Sequence, residues 1–170
     1  MISLLTSMLS SDRKGSIKKL LLWLMIPLAA WYVSQNWYQL MLIQGNSMEP
    51  NYHHLQLVVL NKHDRQFQHG DVVAFRCEEL NSVLVKRIIA VPEDTAQISD
   101  GTLLINDYVS QVYPDTGRIS FAGILAESVK LGPEEYLVLG DNLSESKDSR
   151  YLEVGIVSEE DIFGIICADS

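Results

Sequence analysis

Residues 20–43 contain no Asp, Glu, Lys or Arg, and residues 20–33 are almost entirely apolar. As a helix, these 24 residues would reach about 36 Å, whereas the hydrocarbon core of a bilayer is roughly 30 Å thick. Two aromatic pairs, Trp31-Tyr32 and Trp37-Tyr38, suit the membrane–water interface. We therefore predict a single transmembrane helix over residues 20–43.

The charge on either side of this segment predicts its orientation. Residues 1–19 carry four basic residues and one acidic residue, a balance of +3 in a chain of net charge −9, which leaves −12 for the rest. Basic flanks remain in the cytoplasm. We expect a cytoplasmic tail at 1–19, an anchor in plasma-membrane lipid at 20–43 and an extracytoplasmic domain at 44–170. A cleaved secretory signal and a buried core helix are the alternatives for the apolar segment. The acidic balance argues against nucleic-acid binding.

Beyond residue 44 the apolar pattern is that of short strands. Apolar or β-branched runs occupy residues 55–60, 71–76, 83–91, 136–139 and 162–166, with polar turns between them. Asp100-Gly101 separates two further runs and is a strong signal for a tight hairpin. Residues 107–135 are rich in Gly and Pro and predict a loop-rich excursion. The fold class is therefore mainly β, with the anchor followed by an antiparallel sheet domain, either a sandwich or a partly open barrel.

Cys77 and Cys167 are the only cysteines, and each lies in an apolar run. Outside the cytoplasm they could form a disulfide, but we favour two unpaired residues that are buried as small hydrophobes. The four histidines show no metal-ligand spacing. We expect no metal or cofactor.

Lys86 interrupts an apolar row. Side chains alternate faces along a strand, so Leu84, Lys86 and Ile88 share one face of the predicted strand. A lysine among apolar neighbours is desolvated, which lowers its pKa and allows the neutral amine to act as a general base near pH 8. The alternative is a strand lysine that extends its amine into water, and for this segment taken alone that is the more common case.

Two other segments stand out: Gly45-Asn46-Ser47-Met48-Glu49-Pro50, just after the apolar segment, and residues 140–150, which read GDNLSESKDSR. Taken with Lys86-Arg87-Ile88-Ile89, their order and spacing resemble the type I signal peptidases, in the small Gram-positive form. The resemblance covers residues from about 17 to the C-terminus. That family uses a Ser-Lys dyad.

The resemblance implies a membrane-bound serine endopeptidase that removes signal peptides from secreted preproteins. Ser47 matches the nucleophile and Lys86 the general base. Ser146 matches a hydroxyl that hydrogen-bonds the lysine amine, and Asp148 and Arg150 match a pair that holds the motif against the lysine strand. Two further positions match residues that line shallow pockets for small substrate side chains at minus-one and minus-three: Ile43 and Val85.

The resemblance also implies an oxyanion hole that includes the Ser47 N–H, while Gly45 lacks a side-chain donor that some members have two places before the nucleophile. Ala90 and Glu93 replace family glycines, which is compatible with a specialised substrate range.

Two alternatives remain for the function: a cytoplasmic self-cleaving repressor-type protease with the same dyad, and a signal-peptidase-like assembly factor for a surface, pilus-type system. The oligomeric state is not predicted.

Overall fold

The computed structural model describes residues 18–19, 21–33, 37–112 and 118–167. The chain divides into two compact units, Met1–Tyr38 and Gln39–Ser170. In the first unit, residues 18–19 and 21–33 are helical, and the large apolar side chains of 21–33 are exposed. No helix within the described residues is both long enough and apolar enough to cross a membrane.

The helix predicted over residues 20–43 does not continue to its predicted end, because Tyr38–Leu42 form a strand. Hydropathy measures the preference of a segment for an apolar medium and does not distinguish a helix from a strand. In this segment, strand hydrogen bonds to a neighbouring strand satisfy the backbone instead. The N-terminal tail predicted at residues 1–19 lies almost wholly outside the described residues.

Eleven strands lie within the described residues. In chain order they are β1 (Tyr38–Leu42), β2 (Leu57–Asn61), β3 (Val72–Cys77), β4 (Ser82–Ala90), β5 (Thr95–Ser99), β6 (Thr102–Ile105), β7 (Tyr108–Val109), β8 (Val129–Lys130), β9 (Glu135–Leu139), β10 (Val157–Ser158) and β11 (Ile162–Ile166). Two short 3-10 helices span Gly123–Ala126 and Glu159–Asp161. Among its described residues, the region predicted as loop-rich, 107–135, contains β7, β8, one 3-10 turn and the first residue of β9.

The strands form two sheets, one of seven strands in the order β1-β2-β11-β3-β4-β9-β10 and one of four in the order β7-β6-β5-β8. Every strand pair whose register is known is antiparallel, so the prediction of a mainly antiparallel β fold is confirmed. The predicted hairpin is also present: Ser99 pairs with Thr102, and Asp100 and Gly101 have φ of +50° and +78°. Positive φ at both residues suits a two-residue turn that matches the twist of the flanking strands.

Apolar side chains from both sheets share a core. Ile98 and Leu103 of the small sheet pack in the same cluster as Ile89 and Leu139 of the large one. A separate cluster lies beneath the segment that follows β1 and includes Ile43, Met48, Val58, Leu60, Val72, Ala74 and Ile166. Burial of Met48 contributes about 1.5–3 kcal/mol, so this cluster fixes the chain at the residue next to Ser47.

The two cysteines are not bonded to each other: Cys77 is buried and Cys167 is exposed. The Cys77 thiol donates a hydrogen bond to the Glu153 carbonyl at 3.2 Å. The two cysteines are unpaired, as predicted, and the disulfide alternative is not seen. The predicted burial is correct for Cys77 and wrong for Cys167, which lies just past the end of β11 and is exposed.

Candidate active site

Ser47 and Lys86 lie side by side although 39 positions separate them in the chain. Ser47 is in a turn after β1, held from below by the buried Met48, and Lys86 is on β4. The lysine Nζ lies 2.7 Å from the serine Oγ. At this distance a proton can pass directly from the hydroxyl to a neutral amine.

Lys86 is only 3% exposed. Burial lowers its pKa from an ordinary value of 10.5 to about 8, against the opposing effect of the Asp148 and Asp141 carboxylates. The amine also lies 3.0 Å from the Val85 carbonyl. Strand alternation predicts this burial, since Ile88, two residues along β4, is also buried.

The backbone of Ser47 is held by the 140–142 segment. The Asn142 N–H donates to the Ser47 carbonyl at 3.0 Å. Gly140 lies so close to Ser47 that a Cβ at this position would collide with the Ser47 carbonyl and with the Ser146 side chain. Within the described residues the Ser47 N–H has no hydrogen-bond partner, so it can donate to an added oxygen.

Asp148 and Arg150 form a buried ion pair with side-chain exposures of 0% and 2%. The guanidinium contacts both carboxylate oxygens, at 2.8 and 2.9 Å, and donates to the Leu143 carbonyl at 2.8 Å. Asp148 also accepts from the Gly140 N–H at 3.1 Å. The pair therefore organises the 140–150 segment internally.

A different ion pair joins this segment to β4. Both oxygens of Asp141 accept from the guanidinium of Arg87, at 2.7 and 2.5 Å. The same carboxylate accepts from the Asn51 side chain at 2.8 Å. Asp141 thus links β4, the 140–150 segment and the turn after Ser47. Sequence analysis had expected Asp148 and Arg150 to make this connection.

Ser146 is buried, and its hydroxyl has no hydrogen-bond partner within the described residues. The predicted hydrogen bond from this hydroxyl to the Lys86 amine is therefore not formed. The backbone of Ser146 is nevertheless fixed, because its N–H donates to the Asn142 carbonyl at 2.9 Å and its carbonyl accepts from Arg150 at 3.3 Å.

Ile43 and Val85 line a groove of about 640 Å³ that also contains Ser47 and Lys86. One wall follows the chain after β1, and the other is the first half of β4. In that half, residues 82–86 pair with β3 on one edge, whereas β9 joins the other edge only from Arg87 onward. Among the described residues no strand pairs with the β4 edge beside Lys86, so that edge can pair with an extended chain.

A family sequence model described as "Signal peptidase, peptidase S26" matches residues 16–168. The chain belongs to this signal peptidase family. The resemblance drawn from the three motifs is therefore confirmed.

Similar proteins are bacterial signal peptidases I. That of Bacillus licheniformis is 33% identical, with the match covering 72% of this chain and 71% of the relative. Signal peptidase I U of Bacillus subtilis is 28% identical over 89% of this chain and 87% of the relative. A crystal structure of a signal peptidase I from Enterococcus faecalis has 26% identity and a TM-score of 0.49, covering 60% of this chain and 97% of that chain.

Sequence analysis assigned no separate role to several residues that shape the site of this signal peptidase family member. They are Asn51, Arg87, Gly140, Asp141 and Asn142. Three of them lie in the quoted motif at 140–150, whose conspicuous Gly-Asp-Asn start was the available signal. Their contacts join three separate chain segments, so no local pattern could assign them as partners.

Proposed function

We propose that this chain is a membrane-anchored serine endopeptidase that cleaves N-terminal signal peptides from secreted preproteins through a Ser47–Lys86 dyad. The observation that carries the proposal is the 2.7 Å separation of Lys86 Nζ and Ser47 Oγ. The lowered pKa of Lys86 supports it, because about one amine in ten is then neutral at pH 7.

The reaction begins when Ser47 Oγ attacks the carbonyl carbon of the scissile peptide while Lys86 Nζ takes the hydroxyl proton. The Ser47 N–H donates to the oxyanion. The tetrahedral intermediate collapses, the peptide C–N bond breaks, and the protonated lysine gives its proton to the leaving amine. Lys86 then removes a proton from the water that hydrolyses the acyl-enzyme, and Ser47 is regenerated with the released signal peptide.

The groove supports recognition of an extended signal peptide. The unpaired edge of β4 offers backbone hydrogen bonds to a substrate strand. Side chains alternate along such a strand, so those at minus-one and minus-three would both face the wall formed by Ile43 and Val85. Apolar side chains already occupy this wall, which favours small substrate residues at these two positions.

The N-terminal segment is proposed to anchor the protein in plasma-membrane lipid, with the tail at 1–19 in the cytoplasm and the catalytic domain outside. Support comes from the uncharged residues 20–43, the basic N-terminal flank and the exposed apolar side chains of helical residues 21–33. Since β1 begins at Tyr38, the lipid-embedded part of this segment ends before that strand.

The proposal is tested with the purified full chain in detergent or lipid and a preprotein whose mature N-terminus is known. The unmodified protein should release the mature N-terminus, and Ser47→Ala and Lys86→Ala should each reduce the rate by at least 1,000-fold, of the order found for removal of catalytic residues. Ser158→Ala is the matched control, since this serine makes no side-chain capping bond. Cleavage by Ser47→Ala at the unmodified rate would contradict the mechanism.

The surface-assembly alternative is not favoured. A protein that only holds a partner needs neither a serine nor a buried lysine at this spacing. In addition, the proteins similar to this chain are signal peptidases. Tight preprotein binding without any cleavage would support that alternative over the proposed activity.

A further inference from the structure

Three hydrogen bonds attach the groove wall between β1 and Ser47 to the chain just before β2. The Ile43 N–H donates to the Gln56 carbonyl at 2.9 Å, and the Leu55 N–H donates to the Ile43 carbonyl at 2.8 Å. The third bond is of a different kind: the Gly45 N–H donates to Nδ1 of His54 at 2.9 Å. A side chain therefore takes the place of a backbone acceptor in the bond nearest Ser47.

The backbone geometry explains why a side chain is used there. Leu55 has φ of +64° and Gly45 has φ of +93°, so neither residue continues a regular ladder of extended residues. A neutral histidine ring nitrogen without a proton is an acceptor. Because Nδ1 of His54 accepts the bond from Gly45, the proton of the neutral ring lies on Nε2.

These bonds determine which way Gln44 presents its backbone. Neighbouring residues of an extended chain direct their N–H and C=O groups to opposite sides. Ile43 and Gly45 bond toward the 54–56 segment, so Gln44 faces the groove, which it lines together with Ser47. Within the described residues the Gln44 backbone has no hydrogen-bond partner.

We propose that His54 is a positioning residue: its Nδ1 holds the Gly45 peptide so that the Gln44 backbone can pair with an extended substrate. The site then offers the substrate two edges, Gln44 on one wall and β4 on the other. This inference rests on the proposed function, because it assigns how the same groove holds its peptide. His54 itself lies outside the Ser47–Lys86 contact and does not touch the reacting atoms.

The kinetic test compares three variants of the full chain on one preprotein-derived peptide. His54→Ala removes the acceptor, and KM should rise about three- to tenfold, the range expected for one hydrogen bond, with kcat changed less than twofold. His54→Asn should restore KM, because Asn Oδ1 is the same number of bonds from the backbone as His Nδ1. His53→Ala is the matched control, since the His53 side chain is largely exposed and its ring lies 3.4 Å from Glu49.

An unchanged KM in His54→Ala would overturn the inference. The inference would also be overturned if His54→Asn raised KM as much as His54→Ala does while its melting temperature stayed unchanged. A residue that acts by accepting a hydrogen bond must be replaceable by another acceptor.

A second measurement needs no cleavage. Amide hydrogen exchange of peptides that cover residues 43–47 should be faster in His54→Ala and near the original rate in His54→Asn. If the unmodified protein cleaves no preprotein, the proposed function fails, whereas the exchange data still decide whether His54 holds the Gly45 amide. Equal exchange in all variants would refute that part independently.

Discussion

Replacing Lys86 by methionine measures the energetic consequence of burying this amine. Methionine has a similar length and no charge, and Lys86 is only 3% exposed. Burial lowers the lysine pKa from 10.5 to about 8. At 1.36 kcal/mol per pKa unit, keeping the charged form in the folded site costs about 3 kcal/mol.

The pH dependence of this cost has a definite sign. The unfolded chain retains the ordinary lysine pKa, so between pH 8 and 10.5 it binds more protons at this position than the folded chain does. Stability of the unmodified protein therefore rises with pH through this window. The destabilising contribution of Lys86 is about 3 kcal/mol at pH 7 and about 1 kcal/mol at pH 10, and it is lost above the unfolded pKa.

The assay is denaturant unfolding of the full chain in a mild detergent at pH 7, 8, 9 and 10. The free energy of unfolding of Lys86→Met minus that of the unmodified protein should fall by about 2 kcal/mol between pH 7 and 10. Packing differences between the two side chains are independent of pH and leave this change intact. Lys130→Met, at a largely exposed lysine, is the control and should give a constant difference. A constant difference for Lys86→Met as well would refute the reasoning.

Four further outcomes are expected. The kcat/KM for a peptide substrate should rise tenfold per pH unit and level off above about pH 8, as neutral Lys86 accumulates; a limb near pH 10 in the pH–rate profile would contradict the lowered pKa. Arg150→Ala should destabilise the fold by about 3–5 kcal/mol in denaturant unfolding, because it leaves a buried carboxylate unpaired, whereas the surface-pair variant Lys147→Ala should cost at most about 1 kcal/mol; equal effects would argue against this account. Gly140→Ala should reduce kcat more than tenfold, since its Cβ would displace the serine segment; unimpaired turnover would show that the segment tolerates the shift. Ser146→Ala should leave the melting temperature unchanged or higher, because the buried hydroxyl has no partner to lose in the part of the chain that the structure describes; a clear fall would reveal a hydrogen bond.

Local patterns in the sequence predicted most of the β structure. The alternating and β-branched runs place β2, β3, β4, β9 and β11 within two residues of their observed ends. Asp-Gly predicts the β5–β6 turn because both positions require positive φ. Short strands such as β7, β8 and β10 have two residues each, too few to form a periodic pattern, and only pairing with neighbouring strands defines them.

The apolar segment illustrates a different limit. Its composition predicts an apolar environment, and the helical residues 21–33 agree with that expectation. Composition could not show that the chain becomes a strand at Tyr38, because that change depends on the neighbouring β2 offering its edge.

By itself, the sequence determined the mainly antiparallel fold, the family through its three motifs, and Ser47 and Lys86 as the residues to examine. Only the tertiary structure decided how these residues meet. It placed Lys86 Nζ 2.7 Å from Ser47 Oγ and joined the 140–150 segment to β4 through Asp141. It also left the Ser146 hydroxyl without a partner among the described residues and set the His54 ring against Gly45. The physical reason is the same in each case. Strand propensity and turn chemistry depend on neighbours along the chain, whereas hydrogen bonds between remote segments and the burial that lowers the pKa of Lys86 depend on packing in space.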